Sequence, residues 1–454
     1  MLLAHRIALA PNNKQAAYFA RASGVARFAY NWALAEWRCQ YKAGGKPSEM
    51  MLRKRLNALK REQFPWMLEV SKCAAQEAII NLGVSFSNFF PDCKKPKAQR
   101  RFHYPKPKKK GVHDSFCAAN EVGTFRCDGK RVKLPVVGWV RMREALRFEG
   151  IAKYVTVARE GDRWFASILV ETPEPKKLNQ PCLAVGVDLG VKDFAVLSRP
   201  LNSETKFKGA KPHKAQIARL RRYNKALARK KKGSANRRKA RVRLARLHAT
   251  IGNVRKDYLH KLSMNIVRTF KVIGIEDLNV RGMSRNRCLA RSIMDEGFRA
   301  FRSMLEYKAK LYGARVVVAD RFFASSKTCS YCDCVKQTLS LATRTFVCDD
   351  CGASVDRDEN ASVNLEVFAA SGMIELAAEF NRQLEELCNR LSKENSSEKV
   401  RLLYSDALSR TNMEASDLNA IDAWHPSVQG HRKLADGAYP VVLEQAKLLG
   451  WTVG

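Results

Sequence analysis

The chain has 454 residues, 82 of them Lys or Arg and 44 Asp or Glu, for a formal charge of +38, with 46% hydrophobic and 9% aromatic residues. At about 100 to 200 residues per domain this is material for two or three cores, which excludes a mostly disordered polar chain and makes a multidomain globular protein the expectation. So large a positive charge calls for a polyanionic partner, nucleic acid or an anionic membrane surface.

A membrane partner is not expected, because no apolar span, amphipathic anchor or lipidation signal stands out. The start, MLLAHRIALAPNN, has too short an apolar run for a signal peptide and lacks a basic region before it, so a cytoplasmic protein is expected. Residues 372–454 hold nine basic against twelve acidic residues, leaving 73 basic and 32 acidic in 1–371. The nucleic-acid surface therefore belongs to 1–371.

In chain order, HRIALAP reads as a strand, and Lys14 to Phe90 carries apolar and aromatic residues at helical spacing. The stretch KKPKAQRRFHYPKPKKKG interrupts the helices with prolines and interleaves Arg101 and Lys106 with the stacking surfaces Phe102 and Tyr104. From Thr124 to Glu171 the pattern is strands, with hairpin turns at Asp128-Gly129 and around Gly161. LAVGVDLGVKDFAVL reads as two buried strands joined by a tight turn. A long basic helix follows, its apolar series Leu244, Leu247, Ile251, Val254, Tyr258 and Leu262 stepping by three and four. The run before it, with Arg229, Lys230, Lys231, Lys232, Arg237, Arg238, Lys239 and Arg241, is too basic for a core and suits phosphate contact.

Three acids sit oddly for their surroundings. Asp188 follows the apolar run LAVGV, Glu276 follows VIGI, and a third acid lies in DRDEN. Carboxylates at the ends of buried strands can converge on divalent cations, as Mg²⁺ requires, and such a site can hydrolyse phosphodiesters with two metal ions and no side-chain nucleophile. Of thirteen cysteines, five fall between Cys329 and Cys351. Cys329-x-x-Cys332 and Cys348-x-x-Cys351, fifteen residues apart, match a structural zinc site whose four thiolates leave no open position on the metal. Cys334 is a fifth nearby thiol that the spacing disfavours.

Together VGVDLGVKDFAVLS, RKKKGSANRRKARVRLARLH, VIGIEDLNVRGM, SSKTCSYCDCVK and FVCDDCGASVDRDENASVNL resemble the TnpB family, insertion-sequence-encoded RNA-guided nucleases ancestral to type V CRISPR effectors, over about residues 1–371. The resemblance implies an α/β multidomain fold with a RuvC-like, RNase H-type nuclease domain at 179–320, including basic helices 212–262, and ending at 355–371. A zinc ribbon at 321–354 would be inserted in it. A β-barrel wedge domain (1–10 and 99–178) would hold an inserted helical recognition region (11–98). The family's catalytic, magnesium-holding acids carry onto Asp188, Glu276 and Asp358, the last chosen over Asp356 because x-Asn-Ala follows it, and its zinc ligands onto the four cysteines. Asp333 stands where the family usually has Gly. Two Mg²⁺, one Zn²⁺ and a guide RNA are the implied cofactors, with target DNA as partner. The implied activity is RNA-guided DNA endonuclease of a transposable element. The alternatives are a guide-RNA-dependent DNA-binding repressor or transposition regulator without cleavage, and a strand-transferring transposase. Oligomeric state is not set by the sequence.

The acidic tail, 372–454, resembles the end of an SGNH (GDSL-type) esterase, with Asp422 and His425 in the positions of triad acid and base. No Gly-Asp-Ser nucleophile block accompanies them, so acyl transfer is not expected. The charge reversal suggests read-through of an element into a host esterase gene.

Overall fold

The computed structural model describes residues 1–371 except 121, 122, 124, 179, 341 and 342; the tail, with Asp422 and His425, lies outside the described residues. The described residues form two compact units, one of residues 1–174 and 226–249, the other of 175–225 and 250–371.

The first unit opens with strand β1 (Leu2–Ala8) and helices α1 (Asn13–Lys42), α2 (Glu49–Leu59) and α3 (Lys72–Cys93). Helix α1 begins where Asn12 Oδ1 accepts the Gln15 N–H at 2.9 Å and Gln15 Oε1 accepts the Asn12 N–H at 3.1 Å, closing two of the donors a helix start leaves open. Its apolar face buries Phe19, Ala22, Ala26, Ala33 and Trp37. Trp37 stacks on Phe86 of α3 at 4.2 Å.

Strands β2 (Ser115–Ala119), β3 (Arg126–Asp128), β4 (Arg131–Leu134), β5 (Gly138–Arg141), β6 (Ile151–Glu160) and β7 (Arg163–Glu171) follow. They make a four-stranded sheet, β1-β7-β6-β2, and a meander, β3-β4-β5. β1 pairs with β7 from Leu2↔Glu171 to Ala8↔Phe165, so the first strand joins the sheet across the helical insertion. The two antiparallel sheets are joined at a corner: the Ala10 N–H donates to Arg141 O and the Arg143 N–H to Ala8 O, both at 2.8 Å.

The Lys/Pro stretch after α3 is strapped down. Asp92 accepts the N–H groups of Arg101 and Phe102 at 2.5 and 2.7 Å. Asn31 pairs with both backbone groups of Lys108, at 3.0 and 2.7 Å. Tyr104, read as a stacking surface, packs edge-on against Phe86 and Phe89 with the Arg38 guanidinium over its ring. It stays partly open to solvent, and Arg101, Phe102 and Lys106 are exposed beside it.

The second unit is built on β8 (Cys182–Asp188), β9 (Ala195–Leu201), β10 (Glu204–Phe207), β11 (Phe270–Glu276) and β12 (Arg315–Ala319), in the order β10-β9-β8-β11-β12. β8, β11 and β12 are parallel; β9 pairs antiparallel with β8, and β10 with β9. Between β10 and β11 come α4 (Pro212–Ala215), α5 (Ile217–Ala228) and α6 (Ala235–Thr269), and between β11 and β12 come α7 (Val280–Met283), α8 (Ala290–Glu296) and α9 (Phe298–Tyr312). A hairpin of β13 (Thr345–Val347) and β14 (Ser354–Asp356) precedes α10, residues 357–371.

Strand alternation sorts the faces. Val185, Val187, Ile273 and Ile275 pack with Ile266, Phe298 and Phe301, while Ala184 and Val272 turn the other way and pack with Ala369 of α10. Helix α6 gives residues 235–249 to the first unit, whereas the sequence placed 212–262 with the nuclease domain. The cause is local: Arg246 Nε donates to Asp162 in the β6–β7 turn at 2.9 Å. Val254, expected on the apolar face, is exposed, and the buried line passes through Leu247, Ile251, Leu259 and Ile266. A 3.6-residue period carries that line from 251 through 255 to 259 and leaves 254 on the flank.

Candidate active site and cysteine cluster

Asp188 and Glu276 end two adjacent parallel strands. Gly186 pairs with Gly274 and Val187 with Ile275, so the next step puts the two acids side by side. Counting by twos, they share the face of Gly186 and Gly274, which α10 covers. Both positions require glycine. A Cβ on Gly186 would lie 1.8 Å from the Ser362 carbonyl oxygen and 2.4 Å from the Glu366 nitrogen, and one on Gly274 would lie 2.2 Å from the Leu365 carbonyl oxygen. The helix backbone therefore rests directly on the strands. Asp358 lies one turn before Ser362, about 6 Å down the helix axis, and Asp188 two residues beyond Gly186, about 7 Å along the strand.

The electrostatics agree with that placement. Burial raises the Asp188 carboxyl well above its ordinary range, and Glu276 and Asp358 push it further, against the pull of Arg357 and the Leu189 N–H. Glu276 is also raised, first by burial; the Ser325 hydroxyl and Arg357 oppose the rise and Asp358 adds to it. The buried Ser325 Oγ donates to Glu276 Oε1. Asp358 Oδ1 accepts from Arg357 Nε and Nη2 at 3.2 and 3.1 Å, and Arg344 Nη1 lies 3.8 Å from its other oxygen. Asp356 has a different job: its Oδ1 accepts the N–H groups of Asp358 and Glu359 at 2.9 and 3.3 Å, capping α10, and it pairs with Lys206 at 3.1 Å.

The four cysteines are gathered more tightly. Among the described residues, Cys329, Cys332, Cys348 and Cys351 are the group whose candidate ligand atoms all lie within 4.8 Å of one another. Sulfur separations are 3.7 Å for Cys329–Cys351 and 3.5 Å for Cys332–Cys348. Each Cys-x-x-Cys knuckle turns back through a residue of positive φ, Asp333 at 59° and Gly352 at 72°. That accounts for the departure at 333, since Asp is among the few side chains that visit this region readily. Backbone N–H groups of Cys351 and Asp350 lower the Cys348 thiol to about 6, whereas burial raises Cys329. Helix α10 ties the first knuckle to the acids: Asn360 Oδ1 accepts the Ser330 N–H at 2.9 Å, and Asn364 Nδ2 donates to the carbonyls of Ser325 and Thr328, both at 2.7 Å.

Of the basic residues singled out, Arg229, Lys230, Lys231 and Lys232 fall in the break between α5 and α6, and Arg238, Lys239 and Arg241 lie exposed on the first turns of α6. Arg237 is turned inward, its Nη1 donating to the carbonyls of Leu227 and Lys230 at 2.9 and 2.8 Å. Sequence reasoning missed Ser325, Arg344 and Arg357. It also missed the two glycines, although Gly two places before the acid recurs in VGVD and IGIE.

Three family descriptions match: "Probable transposase" (OrfB_IS605) over residues 167–287, "Cas12f1-like, TNB domain" over 298–365, and "Helix-turn-helix domain" over 1–46. The chain is 37% identical over 366 residues to a Streptomyces pristinaespiralis protein, covering 78% of this chain and 86% of that one. It is 32% identical over 395 residues to a Mycobacterium tuberculosis protein, covering 80% and 85%. Both carry the name "Putative RNA-guided DNA endonuclease". The chain belongs to the TnpB (OrfB_IS605) family. Among solved structures it is similar to a chain of a Cas12f1–sgRNA–target DNA complex, at 16% identity and a TM-score of 0.48, over 78% of this chain and 83% of that one. Among the described residues no helix is long and apolar enough to cross a membrane.

Proposed function

We propose that this chain is an RNA-guided DNA endonuclease of a transposable element, with Asp188, Glu276 and Asp358 as its catalytic acids in a RuvC-like nuclease domain. The observation that carries the reading is the pair of buried-strand acids, Asp188 and Glu276, set side by side under the helix that bears Asp358, with the charge of Asp358 felt at both. The names of the relatives point the same way. Mutually repelling carboxylates are a donor set suited to hard divalent cations, and these three would hold two Mg²⁺ ions. Ions so bound supply a water of lowered pKa and charge stabilisation for the leaving oxygen. Ser325 fixes the orientation of Glu276. Arg344 and Arg357, beside Asp358, present positive charge where a phosphodiester would lie.

Guide RNA and target DNA are the partners that the charge of 1–371 fits, and pairing between them would read the sequence. The chain purified with its co-expressed RNA is expected to cut DNA complementary to that RNA in Mg²⁺ and not in EDTA. Intact DNA under those conditions, with RNA bound, would favour the non-cleaving regulator.

The four thiols would hold one structural zinc, with no position left for chemistry. One zinc per chain is expected by elemental analysis. Cys348→Ser should lose it, lower the melting temperature and slow cleavage through the Ser330–Asn360 link; full zinc content in that variant would refute the assignment. For the basic helix start, replacing Arg238, Lys239 and Arg241 by Ala should weaken RNA binding for all sequences alike. Each lost phosphate contact should reduce the slope of log affinity against log salt by about 1. An unchanged slope, measured by filter binding across a salt series, would remove these residues from the interface.

A further inference from the structure

The turn that follows Asp188 is held from outside its own strands. Residues 189–194 join β8 to β9, and the first of them, Leu189, directs its N–H at the Asp188 carboxylate. Further round the turn, the carbonyls of Val191 and Lys192 both accept from one ammonium, Lys211 Nζ, at 2.7 and 3.0 Å. Lys211 lies between β10 and α4. Of the three donors an ammonium offers, two serve this turn.

The lysine is kept there against its backbone preference. Its φ of 42° and ψ of 44° lie in the left-handed region, which a long side chain rarely visits and which persists only where the surroundings impose it. The end of α8 imposes it. Asp295 accepts the N–H groups of His213 and Lys214 at 3.0 and 2.9 Å and is itself held by Arg255 Nη2 at 3.0 Å. Beside it Glu296 is 2% exposed, with Lys211 Nζ 3.7 Å from its Oε1. Gly209 lets the chain lie on that carboxylate, since a Cβ there would meet Glu296 Oε2 at 1.9 Å. Burial raises the Glu296 carboxyl to about 6, and Lys211 is the strongest influence drawing it down, with Arg255 helping and Asp295 opposing. A buried acid is costly unless a cation stands by it, so lysine and acid fix each other.

We propose that Lys211 is a positioning residue for Asp188: its ammonium clamps the 189–194 turn so that the carboxylate keeps the orientation cleavage needs, while Glu296 and Asp295 hold the lysine in place. The proposal rests on the nuclease reading above and adds to it a residue that acts through another. Without the ammonium the two carbonyls lose their donor and the turn is freed. A shift of about 1 Å at a reacting group can cost about a hundredfold in rate.

Two measurements on the full chain test it. The first is single-turnover cleavage of guide-complementary DNA across a Mg²⁺ series. Lys211→Met, which keeps the aliphatic stem, is expected to cut about tenfold more slowly or worse and to need more Mg²⁺ for half its maximal rate. Lys211→Arg, whose guanidinium can donate to both carbonyls, should recover most of the rate. Lys211→Gly is the sharper variant, because glycine accepts the left-handed backbone without strain: it should melt no lower than Lys211→Met and cut as slowly. Cleavage by Lys211→Gly at the wild-type rate would overturn the proposal, as would an Arg variant no better than Met. The second is hydrogen–deuterium exchange in EDTA. Lys211→Met should speed exchange in 189–194 and leave β11 and α10 as in wild type; unchanged exchange in that turn, or an equal rise in all three, would equally overturn it. A wild-type chain that does not cut sinks the nuclease reading, while the exchange still decides whether Lys211 holds the turn.

Discussion

Asp188→Asn is expected to abolish cleavage and, in the same protein, to raise the stability of the ion-free fold. The loss follows from the proposed role of Asp188, since a two-metal site could not spare one of its three acids. Several kcal/mol of transition-state stabilisation, at about 1.4 kcal/mol per tenfold, is about a thousandfold or more in rate. The gain follows from the same side chain's surroundings. Burial and the facing Glu276 and Asp358 make the Asp188 carboxylate costly, so in EDTA the folded protein keeps that proton to higher pH than the unfolded chain does. Below the ordinary carboxylate value of 3.8 the residue is neutral in both states and the substitution changes little. As pH rises from there through the raised folded value, wild type loses stability relative to the variant, and above it the difference is constant. Thermal melts in EDTA from pH 4 to 8 should show the variant's advantage opening upward. The advantage should shrink when Mg²⁺ is added, because binding stabilises only wild type. RNA binding should be intact. Equal melting curves at every pH would mean that the acids do not strain the fold.

Much of the candidate site's arrangement was legible in the sequence, for reasons that differ by residue. Asp188 and Glu276 stood out because each ends an apolar run whose alternation fixes its face. The cysteine pairs stood out because their spacing alone defines a tetrahedral set. The acid in DRDEN could not be settled from local pattern: two acids two residues apart differ only in that one caps α10 and the other lies a residue inside it, which depends on where the helix starts. Ser325 carried no signal, since its hydroxyl matters only because Asn364 holds that segment beside Glu276. Tyr104 has a neighbourhood the pattern did not show: its ring packs edge-on against Phe86 and Phe89 and is still 40% exposed. The division of α6 between the units was hidden for a similar reason, since the Asp162–Arg246 pair joins residues 84 apart in sequence.

The glycine pair carries the second large effect, Gly186→Ala. The new methyl would meet backbone on both contacts, the Ser362 carbonyl oxygen at 1.8 Å and the Glu366 nitrogen at 2.4 Å, so no rotamer change can relieve it and α10 must lift from β8. Overpacking of this kind costs about 3 kcal/mol or more. In denaturant melts the variant should unfold at clearly lower concentration than wild type. Its folded fraction should cut slowly, since Asp358 rides on the displaced helix while Asp188 stays on the strand. Gly274→Ala, facing the Leu365 carbonyl oxygen at 2.2 Å, should behave alike. Gly252 on α6 is the control: nothing lies within 4 Å of its absent Cβ, so Gly252→Ala should leave cleavage intact and stabilise by up to about 1 kcal/mol through helix propensity. Were Gly186→Ala to melt and cut like Gly252→Ala, α10 would not lie on β8 through its backbone. Asp358 would then have no structural route to the other two acids.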